Sequence, residues 1–161
     1  MKLEHLFPIP LLVDDLDREF TIEELSFIQN VEQIRNQGNS RSVDSYILKN
    51  EALADINNFI LDKIKVFQNN ILSLNNSELY LTQSWLNFTE SGEFHHEHSH
   101  PNSILSGVFY IKTFPEGDKI TFNKDVHNTI LPEVVQYNIY NSDKWWYPVK
   151  QGQIRSEEHT S

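Results

Sequence analysis

The 161-residue chain contains no cysteine. That excludes a thiolate zinc site, an iron–sulfur cluster, a disulfide framework and a cysteine nucleophile. Any metal must be held by imidazole, carboxylate and water. No stretch of about eighteen apolar residues is present, and the start, MKLEHLFPIP, is too polar and proline-broken for a signal peptide. Positive charge is scarce as well. Thirteen Lys and Arg face 23 Asp and Glu, a formal net charge of −10, which argues against a nucleic-acid phosphate backbone as the main partner. The expectation is a soluble, cytoplasmic protein without a membrane or nucleic-acid partner. Its length fits one domain that buries a core without cross-links.

What is there divides into a helical first half and a strand-rich second half. Leu6 to Val13 is apolar with two prolines and reads as an edge strand or extended segment. Thr21 followed by Glu24 is a capping-box pattern ahead of Leu25, Ile28, Val31 and Ile34, which predicts a short amphipathic helix ended by the turn cluster Asn36-Gln37-Gly38-Asn39. Ser42 to Leu48 reads as a strand. Leu53, Ile56, Ile60, Ile64, Phe67, Ile71 and Leu74 recur at steps of three and four, laying one apolar core stripe along a longer helix that Asn75-Asn76-Ser77 breaks.

From Glu78 onward, runs rich in Tyr, Trp, Phe, Val, Ile and Thr alternate with turn residues. Strands are predicted over 79–89, 103–114, 119–122, 134–140 and 145–149. Turns fall at Ser91-Gly92, at Pro115-Glu116-Gly117-Asp118 and at Asn141-Ser142-Asp143. Short strands at this spacing suggest an antiparallel sandwich or jelly roll, with the two helices packed outside it. The class is α+β, mainly β. The last seven residues, RSEEHTS, have no apolar periodicity. They are also the string that a widely used sequencing-adapter DNA gives in translation. The expectation is a single domain over 1–154 and a non-native tail over 155–161.

Four of the seven histidines lie at positions 95, 96, 98 and 100, in the run HHEHSHP. If the run is extended, His96, His98 and His100 share one face, and His95 looks the other way with Glu97. Imidazoles two residues apart on a strand stand about 6–7 Å apart at Cα. Their nitrogens can still converge on one ion at about 2.0–2.2 Å. Pro101 ends strand pairing and keeps such ligands at an open rim. A solvated loop or a fortuitous surface metal patch is the competing explanation. The spacing does not choose among zinc, iron, manganese and copper.

The run belongs to a longer pattern: Trp85-Leu86-Asn87, Gly92, His98-Ser99-His100-Pro101-Asn102-Ser103, then Leu105-Ser106-Gly107-Val108-Phe109-Tyr110. It continues through Ile120 and Phe122 to Trp145-Trp146-Tyr147-Pro148, Gly152 and Ile154. From roughly Glu78 to Ile154 the chain resembles a family of 2-oxoglutarate/Fe(II) oxygenases common in phage and marine bacterial sequence, related to the prolyl-hydroxylase-like group. The resemblance implies a double-stranded β-helix holding Fe(II) at a facial triad. It also implies a hydroxylase-type reaction in which O₂ and 2-oxoglutarate are consumed, with a small-molecule or peptide substrate.

On that resemblance His98 matches the first metal ligand and His100 the second, where a carboxylate is more usual. His96 is held in reserve, and Glu97 is a further alternative. Tyr110 falls where related hydroxylases place a hydroxyl on the distal carboxylate of 2-oxoglutarate, and it also suits a packed sheet tyrosine. Asn87 and Trp85 fall on the pocket wall, with core packing the plainer role for Trp85. The family's distal histidine and its basic residue should follow Gly152-Gln153-Ile154; Arg155 and His159 fall in the tail read as non-native, and on that reading neither is counted. His127 comes too early, in a connecting turn. A chain ending at residue 161 is therefore expected to be C-terminally incomplete, to bind iron weakly and to be inactive by itself. Two other functions fit the pattern: a cupin-like zinc or manganese protein, and a non-enzymatic phage jelly-roll module.

Overall fold

The computed structural model describes residues 1–74, 77–114, 116–124 and 134–158. Asn75, Asn76, Pro115 and His127, which the sequence reading used, lie outside them, as do residues 159–161 of the expected tail. The chain divides into two compact units. One comprises residues 1–108 and 154–161, the other residues 109–153.

The first unit opens with strand β1 (Leu11–Asp15) and helix α1 (Ile22–Gln29). The capping box is present in full: Glu24 N–H donates to Thr21 Oγ1 at 3.1 Å, and Thr21 N–H donates to Glu24 Oε2 at 2.8 Å. Glu24 is buried, and its carboxylate takes two hydrogen bonds from the Arg18 guanidinium, at 2.6 and 2.9 Å. That bidentate contact, ahead of the cap itself, holds the Glu24 carboxyl below its ordinary range.

The helix ends at Asn30, earlier than the apolar spacing suggests. Ile34 instead falls in β2 (Gln33–Arg35), which pairs antiparallel with β3 (Ser40–Ser42). The Asn36–Asn39 cluster is therefore the turn of a hairpin, closed by Asn36 N–H to Asn39 O at 2.9 Å. Gly38 supplies the left-handed conformation, with φ +85°.

Only Ser42 of the run expected to form a strand to Leu48 is one. Beyond it the chain bends, and two 3₁₀ turns (Ile47–Lys49 and Glu51–Leu53) lead into α2 (Ala54–Phe67). A π-helical turn, Gln68–Leu72, extends α2. Of the apolar stripe, Leu53, Ile56 and Phe67 are almost completely buried, Ile60, Ile64 and Leu74 are half-buried, and Ile71 is exposed. Lys63 on α2 reaches Asp14 on β1 at 3.0 Å.

Strand β4 is only Asn87–Phe88, the third strand of the β2-β3-β4 sheet. The residues just before it are hydrogen-bonded to the end of β3 and to the segment that leads into the first 3₁₀ turn. Ile47 N–H donates to Ser84 O, and Leu86 N–H donates to the buried Ser42 hydroxyl at 3.1 Å. A second sheet has the order β1-β8-β5, with β5 at Leu105–Phe109 and β8 at Gln153–Glu158. Strands β5 and β8 run antiparallel, since Ser106 meets Ser156 while Tyr110 meets Gly152 and Gln153. Arg155 to Glu158, within the tail expected to be non-native, lie in the sheet's central strand.

The second unit holds an antiparallel ribbon, β6 (Lys119–Asn123) with β7 (Lys144–Pro148). Ile120 faces Tyr147 and Phe122 faces Trp145 across it. The strand expected over 134–140 is not formed. Asn138 and Asn141 bind the local backbone instead: Tyr140 N–H donates to Asn138 Oδ1 at 2.8 Å, and Asn138 N–H donates to Asn141 Oδ1 at 2.7 Å. Such side-chain turns compete directly with strand pairing. The architecture among the described residues is mixed α+β, with small antiparallel sheets and two helices.

Candidate metal centre

The histidine run is a loop between β4 and β5, bounded by two turns that its sequence dictates. Glu90-Ser91-Gly92-Glu93 closes through Glu93 N–H to Glu90 O at 2.9 Å, with Gly92 at φ +85°. His100-Pro101-Asn102-Ser103 closes through Ser103 N–H to His100 O, with Asn102 at φ +66°. Proline fits the second turn position, and asparagine tolerates the left-handed third.

Between these turns the side chains gather. His98 Nε2 lies 3.0 Å from His100 Nε2, with the rings nearly perpendicular at 74°. Two imidazole nitrogens at about 2.1 Å from one ion stand about 3.0 Å apart at a right angle and about 3.4 Å apart at the tetrahedral angle. The observed separation is that of an N–H···N hydrogen bond from His100 to His98 Nε2, and it also matches two adjacent positions of an octahedral ion, which would displace that proton.

The tautomer fits too. His98 Nδ1 lies 2.9 Å from His96 O. A carbonyl only accepts, so Nδ1 carries the proton and Nε2 of the neutral ring offers its lone pair. A backbone carbonyl orienting a ligand imidazole is a common outer-shell device. His98 is exposed and His100 half-buried, which leaves the pair open to an incoming ion. Trp85 stands beside His100 with ring centroids 6.1 Å apart. It is half-buried.

His95 departs from the sequence expectation. The loop is not a paired strand, so its residues do not alternate between two faces. The His95 ring packs edge-on to His98, with centroids 4.8 Å apart, and lies 5.1 Å from His96. Its Nδ1 meets Asn39 Nδ2 at 3.1 Å. Desolvation, and then the neighbouring imidazoles of His98, His96 and His100, hold the His95 pKa below its ordinary value. His96 is half-buried, and its Nδ1 is enclosed without a hydrogen-bond partner.

The other predicted residues are placed as follows. Asn87 is exposed on β4, opposite Arg41. Tyr110 belongs to the second unit, directly after β5. Its N–H donates to Gln153 O at 2.9 Å, and its carbonyl accepts from Gly152 N–H at 2.7 Å. Among the described residues no three His, Asp or Glu side chains come together as a metal site.

The sequence reading missed the supports of this loop, which lie on the β2–β3 hairpin. Arg35 pairs with Glu93 at 2.6 Å, and Gly38 O accepts from Phe94 N–H at 3.1 Å. Asn39, fully buried, holds both Thr89 and His95. The one signal available beforehand was the Gln37-Gly38-Asn39 turn, and nothing in its local pattern pointed 50 residues ahead.

A family model described as "Putative 2OG-Fe(II) oxygenase" matches residues 83–155. The match is partial, 73 residues of the 161. It contains the histidine loop, Trp85, Asn87 and Tyr110, and it excludes the hairpin. No curated protein and no solved structure matches the chain.

Proposed function

We propose that this chain carries the metal-binding loop of a non-haem Fe(II), 2-oxoglutarate-dependent oxygenase of the hydroxylase type. His98 and His100 act through Nε2 as two adjacent ligands, with His96 held in reserve for either. The observation that carries the reading is the 3.0 Å approach of the two Nε2 atoms, with the His98 tautomer set for ligation. The partial family match supports it. Tyr110 is assigned to the distal carboxylate of 2-oxoglutarate and Asn87 to the pocket wall. The antiparallel pairs β5–β8 and β6–β7 belong, on this reading, to a double-stranded β-helix.

Iron bound here would couple the oxidative decarboxylation of 2-oxoglutarate, giving succinate and CO₂, to hydroxylation of a small-molecule or peptide substrate by O₂. The chain's own residues have simpler tasks. The His96 carbonyl holds the proton on His98 Nδ1 and so keeps Nε2 free. Trp85 shields one side of the His100 ring from water. The turn at Pro101 and Asn102 sets the direction in which His100 enters the pair.

The test is anaerobic addition of Fe(II) and then 2-oxoglutarate, watching for the visible charge-transfer band of the chelate. The expected result is a band whose apparent affinity for iron is weak, because only two ligands are assembled, and which His98→Ala abolishes. A band of equal intensity in His98→Ala contradicts the assignment. Zn(II) or Mn(II) binding without any response to 2-oxoglutarate would favour a cupin-like metal protein instead.

A further inference from the structure

The β2–β3 hairpin lies outside the residues that the family model matches, yet it grips the start of the histidine loop. We infer that this hairpin is a working part of the metal centre, with Asn39 as the positioning residue that keeps His95 out of the ligand set. The inference rests on the reading of His98 and His100 as ligands, and it adds a component that the family match does not contain.

Asn39 is 0 % exposed. Its amide nitrogen is spent on two acceptors, Thr89 Oγ1 and His95 Nδ1, each at 3.1 Å. An amide N–H only donates, so His95 Nδ1 accepts and the neutral ring carries its proton on Nε2. Neither nitrogen of His95 then offers a lone pair to an ion. His98 is in the opposite state, with its proton on Nδ1. Two neighbouring imidazoles, with centroids 4.8 Å apart, are thus sorted into non-ligand and ligand by what holds Nδ1.

Two further observations place the hairpin at the centre rather than merely near it. Asn39 Oδ1 and His96 Nδ1 are buried without partners, and such atoms are rare in folded proteins. Both belong to this one region. A Cβ on Gly38 would stand 2.5 Å from Phe94 O, and Gly38 has φ +85°. The hairpin therefore approaches the loop as closely as only glycine permits.

The experiment uses the full chain and Co(II) as the probe, with histidine side-chain ¹⁵N spectra recorded on the same samples. Wild type is expected to show His95 protonated on Nε2. Asn39→Asp, which accepts but cannot donate, is expected to move that proton to Nδ1. Asn39→Ala, which frees His95 Nδ1, is expected to admit His95 to the Co(II)-responsive histidines and so to change the Co(II) affinity by about 10-fold. Should Asn39→Ala fail to fold, Thr89→Val, which leaves Asn39 in place, takes over as the affinity test with a smaller expected change. A merely structural hairpin would lower stability without switching the His95 tautomer. Full Co(II) affinity in both variants, with binding lost in His98→Ala, overturns the inference and leaves the proposed function standing. An unchanged His95 tautomer in Asn39→Asp overturns the role of Asn39 in the same way. No Co(II) binding by wild type overturns the ligand reading, and with it the inference.

Discussion

Glu24 shows how much one side chain can carry at the residue scale. It closes the capping box of α1 and takes a bidentate pair from Arg18 while buried. Its folded-state pKa is lowered, so its stabilising contribution is complete above the ordinary carboxylate value of about 4.3 and is lost as pH falls through the lower folded value. Glu24→Gln keeps a capping-box partner but loses the charged pair. It is expected to destabilise the chain by about 1–3 kcal/mol at neutral pH. Urea titrations of both proteins from pH 7 down to pH 3 check this, and the difference between them should shrink on acidification. The capping box was legible because both its partners lie within four residues. The Arg18 contact was not, since nothing in the pattern says that Glu24 is buried.

The same contrast holds within the histidine run. That His98 and His100 meet could be anticipated from their i, i+2 spacing. That His95 turns toward them could not, because its orientation is set by Asn39, 56 residues earlier. Periodicity describes side chains on a paired strand, and this loop has no strand partner.

Among the elements, local signals succeeded where burial and propensity agreed. Helix α2 follows its apolar stripe at Ile56 and Phe67, at 2 % and 1 % exposure, while Ile71 beyond it is exposed. Phe67→Ala is expected to cost about 3–5 kcal/mol, read as a lowered urea midpoint. The sequence reading failed where short-range polar chemistry competed with β-propensity. Asn138 and Asn141 fold the 134–140 run onto its own backbone, and the Asn36–Asn39 cluster turns a hairpin rather than ending a helix. Gly38→Ala should reveal how the hairpin is used. The new Cβ meets both a positive φ and the Phe94 carbonyl, so a loss of about 1–3 kcal/mol is expected. The loop's amides, Phe94 and His95 first, should show faster hydrogen exchange in that variant, while α2 keeps its protection.

For the whole molecule, residues 83–155 match one family model while the loop they contain is held by residues 35–39. The strand-rich second half announced itself through composition, and the β6–β7 ribbon lies where aromatic alternation put it. Pairing order could not be anticipated. That β8 lies between β1 and β5 depends on contacts spanning most of the chain, which no local pattern encodes. The central claim is that His98 and His100 bind one ion through Nε2. The most direct measurement is a Zn(II) titration, with Zn(II) as a diamagnetic stand-in for Fe(II), followed in histidine side-chain ¹⁵N correlation spectra. The Nε2 resonances of His98 and His100 are expected to shift together, saturating at one ion per chain, while His95 keeps its Nε2 proton. Shifts confined to His95, or to histidines outside the loop, with His98 and His100 unmoved, would contradict it.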